Sequence, residues 1–93
     1  MFKTNEYFDG KVKSIAFSHG NDPATIGVMA AGKYEFGTST VEIMHVISGS
    51  MDIQHPGTQI WQTYKEGDAF TVNKDVTFGV RVKKDTAYLC IYQ

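Results

Sequence analysis

A regular alternation of short β-forming runs and turn-forming residues constrains this chain more than any other feature. Nearly every run is rich in Val, Ile, Thr, Tyr and Phe, and turn residues such as His55–Thr58, with the sequence HPGT, separate the runs. No window shows the roughly 3.6-residue periodicity of an amphipathic helix. Several short strands at this spacing predict an all-β protein, either a sandwich or a barrel.

The pattern predicts about eight or nine strands along the chain. They are expected at Val12–Phe17, Thr25–Ala30, Tyr34–Thr38, Val41–Ser48, Met51–Gln54, Gln59–Tyr64, Ala69–Val72, Thr77–Val82 and Thr86–Tyr92. Ser18–Pro23 is expected to be a loop, because its composition, SHGNDP, is typical of turns.

Composition excludes several classes of protein. A chain of 93 residues, 42% hydrophobic and 20% charged, is expected to form one globular domain over residues 1–93. A net charge of −1 argues against a nucleic-acid partner. Cys90 is the only cysteine, and no apolar run reaches the length of a membrane span. We therefore expect a cytoplasmic protein with no membrane partner.

The stretch VEIMHVISG, from Val41 to Gly49, places an acidic side chain within a β-forming run. Side chains alternate along a strand, so Glu42 is expected to share a face with Met44 and Val46. His45 is expected to point to the opposite face. Glu42 is then an edge charge, a metal ligand or a group that faces a substrate.

Two spacings resemble the motifs of the cupin family, whose fold is a jelly-roll barrel. Glu42 precedes Gly49 by seven positions, as the glutamate precedes the closing glycine of the first motif. Gly67 and Asp68 open a second segment that leads to Phe78. The resemblance implies a single-domain, cupin-like jelly-roll barrel.

The resemblance also shows which metal ligands are missing. Phe36 and Thr38 stand where metal-binding cupins carry two histidines, and Phe78 stands where they carry a third. Glu42 is the one ligand that remains, and a divalent transition metal needs several converging donors. We therefore expect no metal cofactor and a barrel that keeps its cavity.

Five fragments make a narrower match, in order and with the same spacing. They are NEYFDGKVKSI, GVMAAGKYEFGT, VISG, WQTYKEGDAFTV and YLC, between about Asn5 and Tyr92. They resemble the pyrimidine/purine nucleoside phosphorylase family of small cupins. The resemblance implies metal-independent, broad-specificity cleavage of purine and pyrimidine nucleosides by inorganic phosphate, which gives the free base and ribose 1-phosphate. It also implies a cytosolic homodimer and a pentosyltransferase, that is, a glycosyltransferase that uses phosphate as co-substrate.

Glu42 is the expected catalytic residue. The ribose gains oxocarbenium character as the glycosidic bond breaks, and a nearby carboxylate stabilises positive charge. Glu42 is expected to bond ribose hydroxyls or stabilise the sugar ring if it points into the barrel. The alternative is a solvated residue at a strand end.

Aromatic side chains are expected to seat the base, because broad specificity favours flat apolar contacts over a strict hydrogen-bond pattern. Phe36 and Phe78 are expected to sandwich the base, with core packing as the alternative. Trp61 is expected at the mouth of the site, at a dimer contact or in the core. The expected substrate-binding residues are Tyr34, Phe36, Thr38, Ser39, Thr40, Met44, Trp61 and Phe78.

The residues that hold phosphate are left open by the sequence. Cationic candidates are Lys11, Lys13, Arg81, Lys83 and Lys84, each of which also suits a solvated surface position. The hydroxyl groups of residues 38–40, just ahead of Glu42, are slightly preferred as hydrogen-bond donors.

Two other functions fit the same residues. A non-catalytic cupin that binds a sugar or nucleotide needs no metal ligands either. A metal-dependent cupin enzyme with an unusual ligand set is a third hypothesis.

Cys90 alternates with Tyr88 and Tyr92 along its strand. It is expected to be a small buried hydrophobic residue rather than a nucleophile.

Overall fold

The computed structural model describes residues 1–93 as ten β-strands without a helix, which confirms the predicted all-β class. The strands are β1 (Thr4–Tyr7), β2 (Val12–His19), β3 (Asp22–Met29), β4 (Gly32–Gly37), β5 (Glu42–Ser48), β6 (Ser50–Gln54), β7 (Trp61–Lys65), β8 (Ala69–Val72), β9 (Thr77–Val82) and β10 (Thr86–Tyr92). The bounds of β8, β9 and β10 are those the sequence predicts. The fold contains no helix with the length and apolar character that crossing a membrane requires.

The strands form two antiparallel sheets. The six-stranded sheet has the order β1-β2-β3-β10-β5-β8, and the four-stranded sheet has the order β4-β9-β6-β7. Fourteen buried side chains, drawn from both sheets, form one hydrophobic cluster between them. The edge strands β1 and β4 flank one side of this sandwich, and residues of both strands line a cavity there.

Two expectations about the first quarter of the chain were wrong. The strand β1 was not predicted, because TNEY lacks apolar alternation and its position is fixed only by pairing with β2. Most of Ser18–Pro23 is strand, since His19 pairs with Asp22 and only Gly20 and Asn21 form the turn. Gly20 has a φ of +61°, and glycine at the first central position is typical of a tight hairpin turn.

The interior divides into two sides. Five side chains from β5, β6, β8 and β9 form what we call the packed side: Val46, Met51, Ile53, Val72 and Val80, each at most 2% exposed. The opposite side, near β1 and β4, also lies between the sheets but is only partly filled by side chains. The cavity on that side is the candidate site.

Candidate active site

A cavity of about 410 Å³ lies between the two sheets, and nine of its thirteen lining residues are hydrophobic. The lining residues are Tyr7, Phe8, Ser14, Met29, Glu35, Phe36, Gly37, Glu42, Met44, Phe78, Tyr88, Cys90 and Tyr92. Its volume falls within the range of small-molecule sites, and a mainly apolar wall with a few polar groups is typical of them.

Glu42 lies in this cavity, on the face of β5 that it shares with Met44 and Val46 as the alternation predicts. Met44 lines the cavity beside it, and Val46 on the same face belongs to the packed side. The Cys90 thiol donates a hydrogen bond to Glu42 Oε1 at an Sγ–Oε1 distance of 3.5 Å. Burial raises the pKa of Glu42, and the bond from Cys90 offsets only part of that rise.

The central strand β10 supplies a polar wall to the cavity through Tyr88, Cys90 and Tyr92. Tyr92 is the cross-strand neighbour of Glu42, and its hydroxyl lies 3.1 Å from the Thr25 hydroxyl. Burial raises the pKa of Tyr88 to about 12 and also raises the pKa of Tyr92. These hydroxyls are therefore neutral near pH 7 and act as hydrogen-bonding groups.

Cys90 is buried, as the sequence predicts, at 2% exposure. Burial and the neighbouring Glu42 carboxylate raise the pKa of the thiol, so the thiolate needed for nucleophilic attack is disfavoured. The sequence did not reveal that this side chain lines the cavity and bonds Glu42. Alternation along β10 was the available signal, but the pairing of β10 with β5 is a tertiary feature.

Phe36 and Phe78 form one aromatic wall of the cavity. They are cross-strand partners in β4 and β9, and their ring centroids lie 6.0 Å apart with planes tilted by 32°. The expected sandwich, with a base between these two rings, was wrong in its geometry because the rings are neighbours on one sheet. A planar ligand can instead lie against both rings.

Tyr34 and Thr38 lie outside the cavity and support its walls. The buried Tyr34 packs beside Phe36, and its hydroxyl donates to the Ala30 carbonyl oxygen at 2.6 Å. The Thr38 hydroxyl lies 2.7 Å from the Asn73 carbonyl oxygen and accepts from the Val76 N–H at 3.1 Å. Thr38 therefore ties the loop after β4 to the turn before β9.

Ser39, Thr40 and Trp61 also lie outside the cavity lining. Ser39 is exposed, and Thr40 has a buried hydroxyl oxygen with no hydrogen-bond partner. Trp61 lies on the outer face of the four-stranded sheet, where the Arg81 guanidinium carbon is 4.3 Å from the ring centroid. Of the three positions expected for Trp61, the core and the cavity mouth were therefore wrong.

No Lys, Arg or His lines the cavity, and its two carboxylates are those of Glu35 and Glu42. Arg81 bonds Asp52 at an Nε–Oδ2 distance of 3.0 Å on the outer face, and Lys13 lies 4.0 Å from Glu6. No three His, Cys, Asp or Glu side chains converge on one point. This donor set does not fit a divalent metal held by the protein.

Comparison with solved structures defines the fold class. A protein of unknown function from Vibrio parahaemolyticus superposes with a TM-score of 0.96 at 40% identity, and the match covers 100% of this chain and 99% of the other. An RmlC-like cupin from Shewanella frigidimarina superposes with a TM-score of 0.77 at 15% identity, over 98% and 82% of the two chains. The chain therefore has the predicted cupin fold.

Comparison with known families is more specific. The profile of the pyrimidine/purine nucleoside phosphorylase family matches residues 2–92. Proteins named pyrimidine/purine nucleoside phosphorylase are 59% identical in Pseudomonas aeruginosa PAO1 and 57% identical in Pseudomonas putida F1, over all of this chain and 100% and 99% of theirs. The chain belongs to the pyrimidine/purine nucleoside phosphorylase family, as the resemblance of its sequence fragments predicts.

Proposed function

We propose that this protein is a metal-independent nucleoside phosphorylase of broad base specificity. In the reaction, the bond from C1′ of the ribose to the base nitrogen breaks, and its electron pair leaves with the base. A phosphate oxygen forms the new bond to C1′, which gives ribose 1-phosphate, and the base takes up a proton. The single observation that carries the proposal is the partly buried Glu42 carboxylate in a cavity with an aromatic wall.

Glu42 stabilises the positive charge that develops on the ribose as the glycosidic bond breaks. A partly buried carboxylate does this better than a solvated one, because its field is screened less by water. Because burial raises its pKa, Glu42 takes up a proton at a higher pH than a solvated glutamate does, and the protonated form does not stabilise a cation. The rate of the chemical step is therefore expected to fall as Glu42 becomes protonated.

The wall of Phe36 and Phe78 holds the base through flat apolar contacts. Such contacts suit purines and pyrimidines alike, since every base presents a π-face. Phosphate is held by hydroxyl and backbone N–H donors, because the cavity lining contains no cationic side chain. Thr38 contributes indirectly, through the loop that it fixes.

The test is base release from adenosine and uridine by purified protein treated with chelator, with and without inorganic phosphate. Release only with phosphate supports the proposal, and ribose 1-phosphate must appear in equal amount. Release without phosphate would indicate a hydrolase. If folded protein releases no base from any nucleoside, the phosphorylase proposal is rejected.

A non-catalytic binding protein is the second candidate function, because a cavity without a cationic side chain suits a neutral ligand better than phosphate. It predicts that adenosine or ribose raises the melting temperature in the same preparation without turnover. Metal analysis of protein purified without added metal tests the metal-dependent alternative, which predicts a stoichiometric ion.

We also infer a cytoplasmic homodimer. Four of the nine large exposed hydrophobic side chains lie on the outer face of the six-stranded sheet: Ile15, Ile26, Val28 and Ile47. Such clustering on one face is typical of an interface. Sedimentation should give the mass of two chains for the wild type and of one chain for Ile26→Arg. Ile60→Arg, in a loop outside this face, should leave the dimer intact.

The unpaired Cys90 accords with a reducing compartment, and cell fractionation tests the location.

A further inference from the structure

Phe8 has a backbone conformation that a bulky residue rarely adopts. It lies in the turn between β1 and β2, where the Gly10 N–H donates to the Tyr7 carbonyl oxygen at 3.1 Å. The two central residues of this turn, Phe8 and Asp9, have φ values of +52° and +57°. Asn and Gly are the usual residues at such positions, and backbone strain of this kind concentrates at functional sites.

This turn carries the Phe8 ring across the space between the edge strands of the two sheets. The ring centroid lies 5.0 Å from that of Tyr34 and 5.5 Å from that of Phe36, which it meets edge to face. Phe8 is thus the residue of the β1–β2 hairpin that joins the aromatic cluster of β4. The turn conformation fixes where this ring lies.

Packing within the chain leaves the ring of Phe8 incompletely covered. Phe8 is 44% exposed although it contacts two aromatic rings, whereas Tyr34 beneath it is 5% exposed. The same side chain lines the cavity that contains Glu42. The backbone strain at Phe8 is only partly offset by packing, because the ring stays half exposed. A bound ligand ring would cover it.

We propose that Phe8 is a further substrate-binding residue, which contacts the nucleobase beside the wall of Phe36 and Phe78. This inference rests on the proposed function and deepens it, because it names the base as the group that Phe8 contacts. Phe36 and Phe78 belong to one sheet, and Phe8 extends from a hairpin of the other. The base is therefore held by aromatic rings from both sheets, and none of these contacts reads the hydrogen-bonding pattern of the base.

The test is Phe8→Asn, which removes the ring and keeps a residue that tolerates positive φ. We expect KM for adenosine to rise about 5- to 150-fold, the range that the loss of one base–aromatic stack produces. The rise for uridine should be smaller because a single ring offers less area. KM for phosphate should stay constant, and kcat should change by less than about threefold. Phe8→Tyr, which keeps the ring, should retain the KM of the wild type.

Phe2→Ala is the matched control, because Phe2 is a 64% exposed aromatic residue near the same hairpin that does not line the cavity. It should leave every kinetic constant unchanged. An unchanged KM for adenosine in Phe8→Asn would overturn the inference. A lower kcat together with a higher KM for both substrates and a lower melting temperature would also overturn it, since that pattern indicates a structural role.

Calorimetric measurement of adenosine binding distinguishes a failure of the proposed function from a failure of the inference about Phe8. If the wild type binds adenosine without turning it over, the phosphorylase proposal fails, and the Kd of Phe8→Asn still decides the role of Phe8. A Kd about 5- to 150-fold weaker than that of the wild type supports the contact. An equal Kd, or no binding of adenosine and uridine by the wild type, overturns it.

Discussion

The two sides of the sandwich interior differ in what fills them. On the packed side, Val46, Met51, Ile53, Val72 and Val80 are at most 2% exposed and carry no polar side-chain group other than the Met51 thioether. The cavity side contains two carboxylates, a thiol and tyrosine hydroxyls around about 410 Å³ of unfilled space. The packed side therefore supplies stability, whereas the cavity side holds ionisable groups whose pKa values are perturbed, as functional sites do.

Ile53→Ala should give the largest effect and breaks the packed side directly. Ile53 is 0% exposed, so the substitution removes buried methyl groups and leaves a void. We expect a loss of about 2–5 kcal/mol in the free energy of unfolding, measured by urea denaturation. Ile60→Ala, at 75% exposure, should change it by less than about 0.5 kcal/mol. Similar losses in both variants would contradict the assignment of Ile53 to the packed side.

Glu42→Gln should give the next largest effect, on catalysis rather than stability. The substitution keeps the size of the side chain and removes the charge that stabilises the ribose cation. We expect kcat to fall about 100-fold, which corresponds to about 2.7 kcal/mol, in steady-state phosphorolysis of adenosine. Glu35→Gln removes the other carboxylate of the lining and should lower kcat by less than about threefold. Equal losses would indicate that total charge, and not the position of Glu42, matters.

Gly27→Ala should give an intermediate loss of stability on the cavity side. A Cβ at Gly27 would overlap the ring of the buried Tyr88, so the ring must move. We expect about 1–3 kcal/mol of destabilisation by urea denaturation, because Tyr88 is held in a filled wall. Gly37→Ala is the control, since its nearest contact would be 4.0 Å away. No loss at Gly27 would show that the cavity side yields more readily than we infer.

The smallest effect is a pH dependence of opposite sign at two carboxylates. Burial raises the pKa of Glu42, so its contribution to stability is present below its ordinary value of 4.5 and is lost as pH rises through the folded pKa. The Thr63 hydroxyl and then Arg81 lower the pKa of Asp52 on the outer face. Its contribution is therefore present above its ordinary value of 3.8 and is lost as pH falls through the folded pKa.

Urea denaturation between about pH 3 and pH 7 separates the two contributions. The stability of Glu42→Gln relative to the wild type should increase as pH rises. Asp52→Asn should be less stable than the wild type at neutral pH, and the difference should shrink in acid. If the two differences changed in the same direction, the contrast between the cavity and the outer face would be wrong.

Much of the fold and part of the site could be predicted from the sequence. Alternation along β5 placed Glu42 and Met44 on the inner face, because a strand with one buried face fixes the direction of every side chain. Phe8 could not be found this way, because its role depends on a strained turn and on the proximity of β4. Trp61 reads as a core or site residue in sequence, but its pairing with Gln54 places it on the outer face.

The sequence by itself determined the all-β class, the approximate positions of nine of the ten strands and the face that Glu42 shares with Met44 and Val46, because these follow from local propensity and a period of two residues. Only the tertiary structure decided which inward side chains pack and which surround a cavity. That outcome depends on how strands distant in sequence pair, as β10 does with β5, and on which residues the two sheets bring together near β1 and β4. Local periodicity carries no information about which strands pair or how the two sheets pack.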